Sequence, residues 1–268
     1  MVSDSVHGQN RDILNGPAPS SISAHIIDFN ETDVTEYAGY FAMTIKDVLT
    51  PNECRDLLKL ISPPDDAAWP AATLTRYDGS QLLDLESRFC DRIFYTSQTL
   101  ADRLLERILP HIPPKVVTLK DAPDITGQFP IIRNETWRIA RLRHELRFLR
   151  YGPGQYFRPH CDDHFVDKDG SKSYLTLHLY LNGGEDVQGG ATRFAVDFED
   201  PREGKLDINP AAGSLVIFQQ RDMYHEGVEV TRGTKYTMRT DIMYEVVEHF
   251  VEPEYEAEKR TKIDGEQI

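Results

Sequence analysis

Cysteine is scarce in this chain: three residues in 268, at Cys54, Cys90 and Cys161. That is too few, and too scattered, for a disulfide framework or a zinc knuckle. Long apolar runs are missing as well, since none approaches the roughly 20 residues that span a bilayer. Basic charge is in deficit. Lys and Arg number 30 against 44 Asp and Glu, a formal net charge of -14, which excludes the broad basic surface that a nucleic-acid backbone needs and leaves room only for a local basic pocket. The opening stretch, "MVSDSVHGQNRDILNGPAPSS", has neither the basic nor the apolar segment of a secretory signal. No internal repeat is present. These absences lead to the expectation of an intracellular protein, cytoplasmic or nuclear, with no nucleic-acid and no membrane partner.

What remains is the composition of a soluble globular protein, 40% hydrophobic and 28% charged, long enough for one large domain with a full core. Residues 1–25, rich in Ser, Asn, Gly and Pro, are expected to be disordered. "YFAMTIKDVLT" reads as a strand leading into a helix. "TPNECRDLLKLI" then supplies a Thr50 cap, a proline in the first turn and an apolar side at Leu57, Leu58 and Ile61. A second helix, "SQTLADRLLERIL", sets Leu100, Leu104 and Ile108 one turn apart and stops at Pro110.

From Leu146 onward the period becomes two. "SYLTLHLYLN" carries Leu175, Leu177, Leu179 and Leu181 on one face and Thr176, His178, Tyr180 and Asn182 on the other. "TKYTMRTDIMYE" likewise sets Lys235, Thr237, Arg239 and Asp241 opposite Tyr236, Met238, Thr240 and Ile242. Short strand-like runs bounded by Gly and Pro lie between them, a spacing that suits an antiparallel sandwich or barrel with the helices outside. If the apolar faces meet the helices, the polar faces look into the barrel. Two cations there are costly unless an anion or carboxylate partners them.

"YFRPHCDDHF" concentrates metal-ligating side chains. His160 and Asp162 stand at i and i+2, which on a strand points both the same way, roughly 6.5–7 Å apart. One more histidine completes a two-histidine, one-carboxylate triad, the set that holds Fe(II) on one face and leaves the other positions open. Of nine histidines, His225 is the best candidate, because it follows a buried strand and turn and begins the next strand. By alternation Cys161 and Asp163 point away from such a site.

The wider series "LRFLRYGPGQYFRPHCDD", "TLHLYLN", "GGATRF", "GSLVIF" and "HEGVEVTRGTKY" resembles the prolyl 4-hydroxylase-like branch of the Fe(II)/2-oxoglutarate-dependent dioxygenases. The match is firm from Leu146 to Tyr244. It is weaker back to Tyr40, where "DVLTPNECRDLL" and "ESRFCDRIFY" are similar to the helical support ahead of that family's barrel. The resemblance implies a mostly β fold with supporting α-helices, built on a double-stranded β-helix (a jelly roll, cupin-like). Its expected divisions are a helical support over 26–140, the oxygenase core over 141–250 and a charged tail over 251–268.

It further implies a metal held by His160, Asp162 and His225, with Fe(II), 2-oxoglutarate and O2 as cofactor and cosubstrates and ascorbate as a further cofactor. The far carboxylate of 2-oxoglutarate would meet Lys235, ten residues after His225, with Arg239 as second choice. Arg239 has two other roles open to it: binding an acidic group of the substrate, or pairing with Asp162 or Asp241. Tyr151 matches the family tyrosine of the cosubstrate pocket, and Thr176 and Tyr180 fall where they could bond the same carboxylate. In the family an aromatic residue commonly follows the basic one on the last strand. This strand carries none in that role.

The activity implied is hydroxylation of a C–H bond with release of succinate and CO2, on a prolyl-containing peptide or protein. Oxidation of a free amino acid or small natural product by the same chemistry is the alternative. A non-catalytic metal-binding jelly roll is a second, and zinc hydrolysis a distant third. Two segments are expected to cover the site: 162–173, with Phe165, and 69–83, with Trp69 and Tyr77.

Overall fold

The structure is a computed structural model that describes residues 2–3, 13–62, 69–76, 78–200 and 204–248. Two helices and thirteen strands frame the site. The strands are β1 (Ser23–Ile26), β2 (Ala42–Lys46), β3 (Arg88–Phe89), β4 (Asp91–Thr96), β5 (Thr136–Leu142), β6 (Glu145–Tyr151) and β7 (Tyr156–His160). They continue with β8 (Lys172–Tyr180), β9 (Thr192–Phe194), β10 (Leu206–Ile208), β11 (Leu215–Gln219), β12 (His225–Gly227) and β13 (Lys235–Glu248). The helices are α1 (Pro51–Ile61) and α2 (Gln98–Ile108).

The helix starts follow from local chemistry. Thr50 accepts from the Glu53 amide while Glu53 accepts from the Thr50 amide, a reciprocal cap that satisfies two otherwise orphaned donors. Ser97 caps α2 through the Leu100 amide. Arg107 of α2 ties the helices together, donating to Glu53 at 2.7 Å.

The strands form two sheets. In the larger, β4, β6, β13, β8, β11, β2 and β1 lie side by side in that order, and β5 pairs with the far half of β13. The smaller runs β10-β9-β12-β7-β3. The larger sheet's outer face meets the helices: Leu175, Leu177 and Leu179 of β8 and Ile217 of β11 share one buried cluster with Leu57, Ile61, Leu100, Leu104 and Ile108. Its inner face meets the smaller sheet, where Phe194 of β9 packs edge-on against Phe218 of β11, ring centres 5.2 Å apart. Two antiparallel sheets face to face, with helices on one outer side, make the sandwich that the alternating pattern anticipated and the jelly roll that the family resemblance implied.

Two expected divisions need correction. Residues 1–25 are not uniformly a disordered tail. Leu14 is buried in the main core, the Ile13 and Gly16 carbonyls accept from Arg103 and Arg107, and Ser23–Ile26 is strand β1 on the sheet edge. Residues 4–12 of that stretch lie outside the described residues, as does the expected tail over 251–268. Nor is 26–140 only a helical support. "ESRFCDRIFY" forms β3 and β4, and β2, β4 and β5 are strands of the larger sheet. The alternation there is weak because only Tyr95 is fully buried, while Asp91, Arg92, Ile93 and Phe94 are all half-buried on a short run.

Leu177 is fully buried at the centre of the outer-face cluster. Leu177→Ala is expected to lower unfolding stability by about 2–5 kcal/mol, the range for truncating a core leucine, measured by urea denaturation. A loss below about 1 kcal/mol would mean that the helices do not seal this face.

Candidate active site

The smaller sheet sets two histidines opposite each other. β7 and β12 pair antiparallel with His160 as the register partner of His225, and their ring centres are 4.3 Å apart. His160 ends its strand and Asp162 lies just past it, so the i, i+2 relation is not that of a continuous strand. What turns Asp162 inward is bonding: it accepts from the Thr176 hydroxyl at 2.6 Å and from Arg239 at 2.9 Å. One ligand atom from each of His160, Asp162 and His225 falls within 4.8 Å of the others.

The protonation states suit a cation. Burial, and then the neighbouring His225, pulls the His160 imidazole down to about 3. Burial lowers His225 also. Burial alone would raise Asp162, but the Arg239 guanidinium, with the hydrogen bond from Thr176, overcomes it and holds the carboxyl well below its usual range. Two neutral imidazoles and one carboxylate, each within reach of one point, form a donor set fitted to a divalent transition metal. The imidazoles are fixed from behind, with Nδ1 of His160 at 2.8 Å from the Arg158 carbonyl and Nδ1 of His225 at 3.3 Å from the Met223 carbonyl. Each Nε2 is thereby turned to the site.

Behind the triad is a narrow cavity of about 40 Å³, walled in part by Tyr151, His178, Thr192, Arg88 and Arg239. Among the described residues, three buried polar atoms of the inner face have no hydrogen-bond partner: His178 Nε2, Thr237 Oγ1 and Arg239 Nε. His178 faces Arg239 across the β8–β13 pairing, and Tyr180 faces Thr237. Native interiors rarely leave such groups unpaired, so a polar ligand suits this place. Lys235 is buried on the same strand face, with burial pulling its amine down to about 7. Its Nζ lies 5.0 Å from the Tyr151 ring centre and 5.8 Å from that of Tyr180, and no carboxylate among the described residues pairs with it. Gly190, at φ +71°, makes room for this stem, because a Cβ there would stand 3.0 Å from Lys235 Cδ.

The other expected residues divide. Tyr151 lines the cavity. Thr176 is not beside Lys235; it bonds Asp162, at the opposite end of the inner face. The Tyr180 hydroxyl is already committed to Thr192 at 2.7 Å, so it steers Lys235 with its ring instead. Of the three roles open to Arg239, the ion pairs with Asp162 and Asp241 are formed. Cys161 and Asp163 line the outer cleft, away from the inner cavity. Trp69 cannot act as a lid, being buried against Tyr236 and Arg150. Phe165 lines the cleft under the Arg143 guanidinium, 3.6 Å away. Tyr77 lies outside the described residues.

Sequence reasoning passed over Arg88, Arg147 and the anchoring role of Asp241. Asp241 is almost wholly buried and pairs with Arg143, Arg147 and Arg239 at 3.2–3.4 Å. Arg147 could have been found, since it faces Arg239 across β6 and β13 once the strands are aligned. Arg88, on a two-residue strand, left no pattern to read.

A model of the 2OG-Fe(II) oxygenase superfamily matches residues 146–240, the span that holds the triad, Tyr151, Lys235 and Arg239. This segment is similar to the 2OG-Fe(II) oxygenase superfamily. Its resemblance is to the prolyl 4-hydroxylase-like branch. A curated relative, Prolyl 4-hydroxylase 1 of Arabidopsis thaliana, is 32% identical over 137 residues, which cover 42% of this chain and 48% of the relative. The chain thus spans about half the length of the curated relative it matches. Among solved structures, a prolyl-4-hydroxylase of Pseudomonas putida aligns with 18% identity and a TM-score of 0.48, covering 78% of this chain and 95% of its own. A Trichoplax adhaerens prolyl hydroxylase, solved with a hypoxia inducible factor peptide fragment, aligns with 12% identity and a TM-score of 0.49, covering 80% and 85%.

The anchoring role of Asp241 can be tested directly. Asp241→Ala leaves three guanidiniums without their shared carboxylate, and breaking a buried ion cluster from one side costs about 3–5 kcal/mol. A thermal or urea unfolding measurement giving less than about 1 kcal/mol would show that Asp241 does not organise these arginines.

Proposed function

We propose that this chain is an Fe(II)- and 2-oxoglutarate-dependent hydroxylase that acts on a prolyl residue of a peptide or protein. The observation that carries this reading is the pairing of a three-donor metal site with a buried lysine that has no carboxylate of its own. The chemistry that metal and cosubstrate supply when bound is oxidative decarboxylation: O2 gives one oxygen atom to succinate and the other to a substrate C–H bond, with CO2 released.

The chain's residues hold and orient. His160, Asp162 and His225 would occupy one face of the iron, leaving the face toward the cavity and cleft for cosubstrate, O2 and substrate. Lys235 would receive the far carboxylate of 2-oxoglutarate, a charge-assisted contact in a desolvated place. Thr237, His178 and Arg239 offer unpaired polar atoms along the way. Lys235 is preferred over Arg239 for that carboxylate because Arg239 already serves two aspartates. The prolyl assignment is supported by the Arabidopsis relative's name and by the open cleft before the triad, whose volume of about 940 Å³ lies near the top of the range of small-molecule sites. Ascorbate would act as a supporting reductant.

The first test is oxygen-dependent conversion of 2-oxoglutarate to succinate. His160→Ala, Asp162→Ala and His225→Ala should each abolish it with the fold retained by circular dichroism, and near-normal turnover in any one removes that ligand from the assignment. Lys235→Ala should raise the KM for 2-oxoglutarate about 10–100-fold, equivalent to about 1.5–3 kcal/mol, whereas Arg239→Ala should lower metal occupancy first by freeing Asp162. A larger 2-oxoglutarate effect in Arg239→Ala would move the carboxylate partner to Arg239.

A pH dependence follows from the same lysine. With its amine at about 7 in the free protein, Lys235 is charged below that pH and neutral above it. A carboxylate binds the charged form, so affinity is full on the acid side and falls as pH rises through 7. Between pH 6 and 8, calorimetric affinity for 2-oxoglutarate at saturating Mn(II) should fall about tenfold, and Lys235→Met should flatten the profile. An unchanged affinity in the unaltered protein would place the carboxylate elsewhere.

A further inference from the structure

The outer cleft in front of the triad runs from the hairpin of Leu74–Thr75 and Gln81–Leu82 to the loop after Asp162. On a chain of net charge -14, its wall carries six arginines: Arg88, Arg92, Arg143, Arg147, Arg158 and Arg239. Four carboxylates stand among them (Glu145, Asp162, Asp163 and Asp241). Taking the cleft's excess of two positive charges from the total leaves -16 on the rest of the chain.

The arginines are of two kinds. Arg143, Arg147 and Arg239 share Asp241, with Glu145 and Asp162 as further partners. Among the described residues, no carboxylate pairs with Arg88, Arg92 or Arg158. Arg88 is buried, its Nε set against the Cys90 sulfur at 3.3 Å, with its guanidinium beside the Tyr151 hydroxyl and over the Phe157 ring. Arg92 donates to the Thr73 hydroxyl and stacks on Phe94, while Arg158 stacks on Tyr156. They come from three strands, β3, β4 and β7, and meet at one mouth. Burial, with the like charges of Arg88 and Arg147, pulls the Arg92 guanidinium down to about 10, so this group of cations is unrelieved as it stands. Stacking each guanidinium on an aromatic face fixes the plane and leaves N–H edges for a bidentate acceptor.

We propose that this cleft binds an acidic stretch of the peptide substrate, with Arg88, Arg92 and Arg158 receiving Asp or Glu carboxylates that flank the target residue. The inference deepens the hydroxylase reading and rests on it. Charge complementarity selects the occupant. A short acidic segment fits inside the cationic cleft, whereas a long polyanion such as nucleic acid would run on to a surface of net negative charge, where it is repelled. The cleft volume of about 940 Å³ also exceeds what a free amino acid needs.

The test uses the full chain with Mn(II) and 2-oxoglutarate, and short labelled peptides built around one proline flanked by Glu, by Gln or by Lys. Fluorescence anisotropy should show the Glu peptide binding at least about tenfold more tightly than the Gln peptide, with the Lys peptide weakest and the preference shrinking as salt rises. Arg92→Glu/Arg158→Glu should reverse the order, a gain that a merely damaged protein cannot give. If that double variant does not fold, the single exposed change Arg158→Gln decides, with the Glu preference expected to fall several-fold. Equal binding of Glu and Gln peptides, no binding of the Glu peptide, an unchanged preference in Arg158→Gln, or a DNA oligomer binding more tightly than the Glu peptide would each overturn the inference. Succinate formation with Fe(II) and the Glu peptide reads the hydroxylase assignment separately. Charge preference without succinate removes the hydroxylase and leaves the cationic, acid-binding cleft; succinate without charge preference does the reverse.

Discussion

The contact between Arg239 and Asp162 is the constraint around which the interior is arranged. A carboxylate this deeply buried would ordinarily protonate, because removing a charge from water costs several kcal/mol even after relaxation. Here a guanidinium at 2.9 Å keeps it ionised. The guanidinium must itself be compensated, and Asp241 does this, shared with Arg143 and Arg147. One metal-facing charge thus draws in a chain of alternating charges across β6, β13 and the exit of β7. Thr176 and Gln220 close the remaining valences, the first on Asp162 and the second on Asp241.

That network sets the character of the last strand. Without an aromatic filler beyond the basic residue, its inner face is Lys235, Thr237, Arg239 and Asp241, two cations, a hydroxyl and an anion in sequence. Arg239 and Asp241 satisfy each other, and Lys235, at the other end, is left with aromatic faces only. The electrostatic gradient along one strand therefore separates the end beside His160, Asp162 and His225, where charges are matched, from the Lys235 end, where a buried cation has no carboxylate partner among the described residues.

Much of this was legible in the sequence because period-two alternation is strong on long strands. β8 and β13 announced their faces, and with them the inward placement of Thr176, His178, Lys235 and Arg239. The H-x-D pair and His225 were readable by spacing. The parts that were not readable are those set by pairing between distant segments. Nothing in "ESRFCDRIFY" says that Arg88 will stand beside Phe157 or that Arg92 will reach the cleft mouth. Nothing local says that Leu14 will be core. Thr176 was read onto the right face but the wrong end, because alternation fixes which way a side chain points and not how far along the barrel its partner lies.

The division of labour between the two faces of one sheet makes such a site affordable. Leucines at 175, 177 and 179 share one buried cluster with residues of α1 and α2, so the outer face of β8 is packed independently of Thr176 and His178 on the inner face. Burying a full leucine side chain is worth about 1.5–3 kcal/mol, comparable with the cost of one imperfectly paired polar group inside. His178, Thr237 and the Nε of Arg239 are three such groups on adjoining positions. A core without a ligand would have replaced them with apolar residues of similar size at little loss. Their placement on the one face that looks toward the triad, backed by a packed outer face, puts apolar packing on one side of the strand and unpartnered polar atoms on the other.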